Sequence, residues 1–278
     1  NKSNDFFHGI MFHHFHDDNI HKMGQGSISA NQFEEIINYI GRKNILNPDE
    51  FILKLINGSL KNNEVCLTFD DGIRCQYDVA RPILDKYDIK AFFFIYSSIL
   101  TDEPDLLEVF RFFRLNFYDD VDSFYNDFFK KVNKDLEKFF DSKINLIEKK
   151  KYKFPVYSLM DIKFRLVRDL LLTKIQYVEI MNGLFKDKNF TKERFFSKLF
   201  MSEEMIIKLS DDGHKIGLHS HTHPMMMENL SYKDQLKEFE QNLLILEKVI
   251  KSNIPIVSMS HPCGSYNEDT LKILKKMN

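Results

Sequence analysis

The sequence predicts an α/β fold of parallel strands interrupted by an all-helical stretch, and three observations predict it. Short apolar or alternating runs separated by helical-period segments recur at both ends of the chain, residues 101–200 carry helical periodicity alone, and polar groups gather where the strand-like runs end. A length of 278 residues suits one barrel of alternating strands and helices, which commonly needs about 250, plus an insertion.

Each element has its own signal. Residues 9–15 (GIMFHHF) form a short apolar run, read as a first buried strand ending at His13 and His14. Ser29 followed by Gln32 is a capping-box pattern ahead of Phe33, Ile36, Ile37 and Ile40, and Gly41 supplies the stop, so an amphipathic helix is expected. Residues 64–69 alternate Val65, Leu67 and Phe69 against Cys66 and Thr68, the period of a strand, and deliver Asp70-Asp71-Gly72 into a turn. Val79, Ile83, Leu84 and Tyr87 have helical spacing, and residues 91–98 (AFFFIYSS) read as a continuous apolar strand.

Across residues 101–200 the pattern is helical throughout, with 161–185 read as one long helix carrying Ile162, Leu166, Leu170, Ile175 and Val178. Alternation then resumes with a helix after Ser202, a Gly213 stop, and a strand at 215–218 that runs into His219-Ser220-His221-Thr222-His223-Pro224. Ser231 caps a further helix, residues 254–259 read as a strand, and His261-Pro262-Cys263-Gly264 precedes a terminal helix. The chain is therefore expected to be a single domain, 1–278, with a helical insertion at 101–200.

Composition narrows the function classes. With 39 Lys plus Arg against 41 Asp plus Glu, the net charge of −2 argues against a dominant nucleic-acid surface. No apolar stretch reaches the 18 residues a membrane-spanning helix needs. The 27 Phe, without any Trp, are read as core packing. Cys66, Cys75 and Cys263 lack disulfide or zinc-knot spacing and read as reduced thiols. With no secretory pattern at the start of the sequence, a cytoplasmic protein is expected, export with a removed leader being the alternative. The oligomeric state has no sequence signal.

In parallel α/β architectures, side chains at the carboxyl ends of strands converge on one face. Here those positions hold Asp70-Asp71, His219 with His223, and the Pro262-Cys263-Gly264 turn. Two imidazoles and a carboxylate form a donor set for a catalytic metal.

Thr68-Phe69-Asp70-Asp71-Gly72, His219-Ser220-His221-Thr222-His223-Pro224 and Pro262-Cys263-Gly264, in this order and at strand ends, resemble the three leading motifs of the NodB-type polysaccharide deacetylases. These are carbohydrate esterases acting on N-acetyl sugars, and the resemblance covers roughly residues 6–100 and 201–278. It implies a distorted (β/α) barrel in which Asp71, His219 and His223 bind one divalent ion, expected to be zinc. It further implies Asp70 as catalytic base and the backbone N–H of Cys263 as donor to the oxyanion. The Cys263 side chain is expected to be a small core residue, not a nucleophile.

Two departures stand out. Many members open the third motif with an Arg that holds the base, where this chain has Ser260-His261, and Arg74 is the nearest candidate replacement. The family's C-terminal Leu-x-His, source of the general acid, has no counterpart before Asn278, which leaves His13 as the candidate acid. His14, His16, His21, His221 and His261 are weaker candidates for any role.

The expected function is a metal-dependent hydrolase removing N-acetyl groups from an amino sugar in a glycan or polysaccharide precursor. A catalytically impaired carbohydrate-binding protein on the same fold and an amidohydrolase of a non-sugar amide are the alternatives. The insertion is expected to cap the site and carry substrate choice.

Overall fold

The computed structural model describes residues 8–17, 19–101, 104–155, 157–251 and 255–277. The chain divides into two compact units, Asn1–Leu106 with Phe195–Asn278, and Leu107–Arg194.

The first unit is α/β. Its strands are β1 (Gly9–Phe12), β2 (Phe15–His16), β3 (Ile28–Ser29), β4 (Cys66–Asp70), β5 (Phe92–Ile95) and β6 (Lys215–Leu218). Four form a wholly parallel sheet in the order β1-β4-β5-β6, and β2 pairs with β3 beside it. Parallel strands need crossovers, supplied here by helices such as Ala30–Ile40, Arg81–Lys86 and Glu203–Asp211. The register pairs Phe12 with Phe69, Phe69 with Phe93, and Phe93 with Ile216, so His13 lies level with Asp70, and His219 lies two positions beyond that level. All the strand-end residues of interest therefore emerge at one edge of the sheet.

The phenylalanines pack the core as expected. Phe69 stacks on Phe93 at 4.7 Å between ring centroids, and Phe12, Phe15 and Phe33 surround Phe69. Each such buried ring contributes about 1.5–3 kcal/mol by leaving water. Ser29 and Gln32 form the expected capping box, and Ser202 and Ser231 cap their helices.

Three strand expectations are corrected. The first strand stops at Phe12 and is an edge strand with Met11 57% exposed, because it pairs only with β4. The 91–98 run is a strand only to Ile95; the Ser97 and Ser98 amides donate to the Ser220 and His221 carbonyls, and the chain turns into a short 3-10 segment. Of the 254–259 run, Ile254 lies outside the described residues, and the remainder makes a single bridge between Met259 and Leu218. Pro255 has no N–H to offer a ladder there. Among the described residues no ladder joins β1 to the Met259 segment.

The second unit is all helical. Phe113, Phe124, Phe128, Phe164, Phe185 and Tyr177 build its aromatic core, with Phe128 and Phe164 centroids 4.9 Å apart. Buried Asp161 accepts from the Tyr125 hydroxyl at 2.6 Å and the Arg165 Nε at 2.7 Å, which compensates the carboxylate for its lost water. The expected long helix over 161–185 is instead two, Leu159–Leu166 and Lys174–Asp187, separated by a π-type turn. Thr173 and Gln176 close a second capping box, and this local bonding stops the helical ladder from running through.

Candidate active site

Asp70 closes β4, and Asp71 follows it with φ of 80°, a left-handed backbone that sets the two carboxylates in different surroundings. Gly72 continues the turn at φ 64°, a backbone that L side chains rarely adopt, and a Cβ there would press on the Ile99 and Ile95 side chains. Asp71, Ser220, His223 and Cys263, all in the three motifs, are among the seven described non-glycine residues with positive φ. Such strain concentrates where surrounding structure fixes a functional geometry.

The carboxylate of Asp71 and the imidazoles of His219 and His223 are buried together, with one ligand atom of each within 4.8 Å of the others. Asp71 Oδ1 lies 3.2 Å from Nε2 of His219 and 3.2 Å from Nε2 of His223, yet among the described residues it has no hydrogen-bond partner. His219 Nδ1 donates its proton to the Ser260 carbonyl at 2.8 Å, which places the Nε2 lone pair toward Asp71. A lone pair facing a carboxylate oxygen fits a cation. Donors bound at about 2.0–2.1 Å around a tetrahedral ion lie about 3.3 Å apart, close to the separations found. The residues therefore fit a divalent metal of the zinc type.

Asp70 stands apart from this trio. Its Oδ2 accepts from the Ser260 hydroxyl at 2.8 Å and lies 4.0 Å from His219 Nε2, while Oδ1 is buried with no hydrogen-bond partner among the described residues. Burial pushes the Asp70 carboxyl above its usual range, against the pull of positive charge at the neighbouring site and of the Ser260 hydroxyl. Burial would also raise Asp71, but positive charge facing it, on protonated His219 and His223 or on a cation in their place, outweighs burial and holds that carboxyl well below its usual range. Adjacent carboxylates driven in opposite directions are suited to different tasks.

His13 follows β1, 35% exposed at its side chain, with Nε2 at 3.9 Å from Asp71 Oδ2. Gln76, wholly buried, donates from Nε2 to the backbone carbonyls of both His13 and Asp70 and ties the two strand ends together. Cys263 belongs to the Pro262–Gly264 turn, with φ of 53°. The structure corrects the core reading of its side chain: Cys263 is exposed, and Pro262 is the buried residue of that left-handed turn.

A sequence profile of the polysaccharide deacetylases matches residues 57–111 and 177–278, more than half of the chain. The chain belongs to the polysaccharide deacetylase family. Among solved structures it is similar to the deacetylase PplD of Streptococcus pyogenes in complex with acetate, at TM-score 0.55 and 17% identity over 98% of this chain and 80% of that one. IcaB from Ammonifex degensii gives 0.53 and 13%, covering 98% and 80%. The de-N-acetylase from Aggregatibacter actinomycetemcomitans gives 0.55 and 14%, covering 97% and 84%. These likenesses show the NodB-type α/β fold. No curated protein sequence matches the chain.

In this polysaccharide deacetylase the missing third-motif Arg is answered by a residue that sequence reasoning passed over. Arg74, the expected substitute, pairs with Asp78 at 3.0 Å and with the Ser197 carbonyl, and does not reach Asp70. Ser260, in the Arg's place, holds Asp70 through its hydroxyl and His219 through its carbonyl. The signal was its position before the Pro262-Cys263-Gly264 turn. Gln76 offered none, since a glutamine on a helical stretch reads as surface.

Proposed function

We propose that this family member is a metal-dependent N-deacetylase acting on an N-acetylated amino sugar in a glycan or polysaccharide precursor, with Asp71, His219 and His223 as ligands of one divalent ion, zinc by donor type. The observation that carries the reading is the 3.2 Å approach of both Nε2 atoms to one buried Asp71 oxygen, with the His219 proton committed to Ser260. Family membership supports acetyl removal as the reaction.

An ion held there supplies Lewis acidity, which lowers the pKa of water toward about 7 and polarises an acetamide carbonyl. Asp70, buried and oriented by the Ser260 hydroxyl, takes the proton of the attacking water. The backbone N–H of Cys263 is the donor assigned to the developing oxyanion. As the C–N bond breaks, the amine nitrogen takes a proton from His13, and the products are acetate and a free amino sugar. The 3.9 Å separation of His13 from Asp71 supports that role by placing the imidazole beside the reacting groups.

The test is acetate release from a panel of N-acetylhexosamine oligomers and short non-sugar acetamides. Release from the oligomers is expected. Release from the non-sugar amides alone would assign an amidohydrolase, and oligomer binding without release would assign a binding protein.

A further inference from the structure

The helix Tyr232–Ile250 carries two polar side chains one turn apart, Glu238 and Asn242, that neither the motifs nor the proposed reaction use. Asn242 is fully buried. Its Nδ2 donates to the Ile95 carbonyl at 3.0 Å and its Oδ1 accepts from the His219 amide at 2.9 Å. Ile95 and Leu218 are the last paired residues of β5 and β6, so the Asn242 amide stands where the next rung of the ladder would form. Beyond it the two chains meet again, Ser97 and Ser98 donating to the Ser220 and His221 carbonyls. The amide thus acts as a wedge at the point where His219 leaves the sheet.

Glu238 grips the next segment. One carboxylate oxygen accepts from the His221 and Thr222 amides at 2.9 and 2.7 Å, and the other accepts from the Thr222 hydroxyl at 2.7 Å. The two amides it binds lie between Ser220 and His223, which have φ of 62° and 54°. A backbone held left-handed at two non-glycine positions needs compensating bonds, and charge-assisted bonds to a carboxylate are the strong kind. The Ser220 hydroxyl adds an acceptor for the His223 amide at 3.1 Å.

We propose that Glu238 and Asn242 are the positioning residues of this site: Asn242 fixes where His219 leaves β6, and Glu238 fixes the turn that brings His223 back, so that both Nε2 atoms reach the same Asp71 oxygen. The proposal rests on the metal reading for its consequence and on the backbone geometry for its cause. Partners that orient metal ligands typically contribute about 10- to 100-fold in affinity or activity. Both act through the backbone that carries the two histidines, so kcat should change more than KM.

Two readouts on the intact protein separate this inference from the metal reading. The first is Zn2+ affinity by competition with a chromophoric chelator for the parent, Glu238→Ala, Glu238→Gln and Asn242→Ala. The second is amide hydrogen exchange over residues 219–223 without metal. Glu238→Ala should weaken Zn2+ about 10- to 100-fold and speed exchange at His221 and Thr222. Glu238→Gln, which keeps one acceptor oxygen, should recover part of both effects. If the parent binds no Zn2+, the metal reading fails, and fast exchange in Glu238→Ala still upholds the positioning role. Parental exchange and parental affinity in the Glu238 and Asn242 variants would overturn it.

Discussion

Asp70 and Asp71 are neighbours in sequence with opposite electrostatic fates, and the left-handed φ of Asp71 is what separates them. Asp70→Asn should keep bound metal while lowering kcat by about 10²- to 10⁴-fold, the range of general-base catalysis. Metal content and acetate release measured on the same preparation check it, and parental turnover would make Asp70 structural. Ser260→Ala removes the hydroxyl from Asp70 and leaves the carbonyl that holds His219. A hydrogen bond to a charged group contributes about 1.5–3 kcal/mol, so kcat should fall about 10- to 100-fold with metal retained. Asp70, Asp71, His219 and His223 were legible because each motif is a short contiguous string. Ser260 was visible only as a departure from the Arg pattern, since its bond to Asp70 spans 190 positions.

At the scale of elements, sequence period served well where one face was buried and poorly at ends. β6 and the helices capped by Ser29, Ser202 and Ser231 lie where the periodicity puts them. The 91–98 run failed at its end because Ser97 and Ser98 bond to the loop after β6, a long-range choice that local apolarity does not encode. β6 also contains Gly217, where a Cβ would lie 2.5 Å from the Phe94 ring and 2.9 Å from the Ser258 carbonyl oxygen. Gly217→Ala should therefore overpack this layer, lowering stability by about 1–3 kcal/mol and the thermal midpoint by several degrees. A midpoint within one degree of the parent's would show that the layer relaxes freely.

For the molecule as a whole, stability should depend on pH through His214. Its Nδ1 accepts from the Ala91 amide at 3.2 Å, so its proton is on Nε2, which is buried with no partner among the described residues. Burial pushes the imidazole down to about 4 from an ordinary value of 6.5. The unfolded chain thus binds a proton that the folded chain refuses, and stability falls as pH drops from 6.5 toward 4, by about 3 kcal/mol at the limit. Above pH 6.5 His214 contributes no pH dependence. Thermal midpoints at pH 7 and pH 4.5 for the parent and His214→Asn check this, the variant losing less on acidification. The α/β class was legible from alternation at the two ends of the chain, and the helical unit from its absence between them. The break between Leu159–Leu166 and Lys174–Asp187 was not, although the Thr173 and Gln176 cap was there to be read.

On the proposed function, N-deacetylation depends on one divalent ion held by Asp71, His219 and His223. The most direct measurement is acetate release from N-acetylhexosamine oligomers by the intact protein as isolated, after chelator treatment, and after return of one equivalent of Zn2+. Release should disappear with the metal, return with the single equivalent, and not return in His219→Ala. Release that continues at the parental rate in metal-free protein would contradict that dependence.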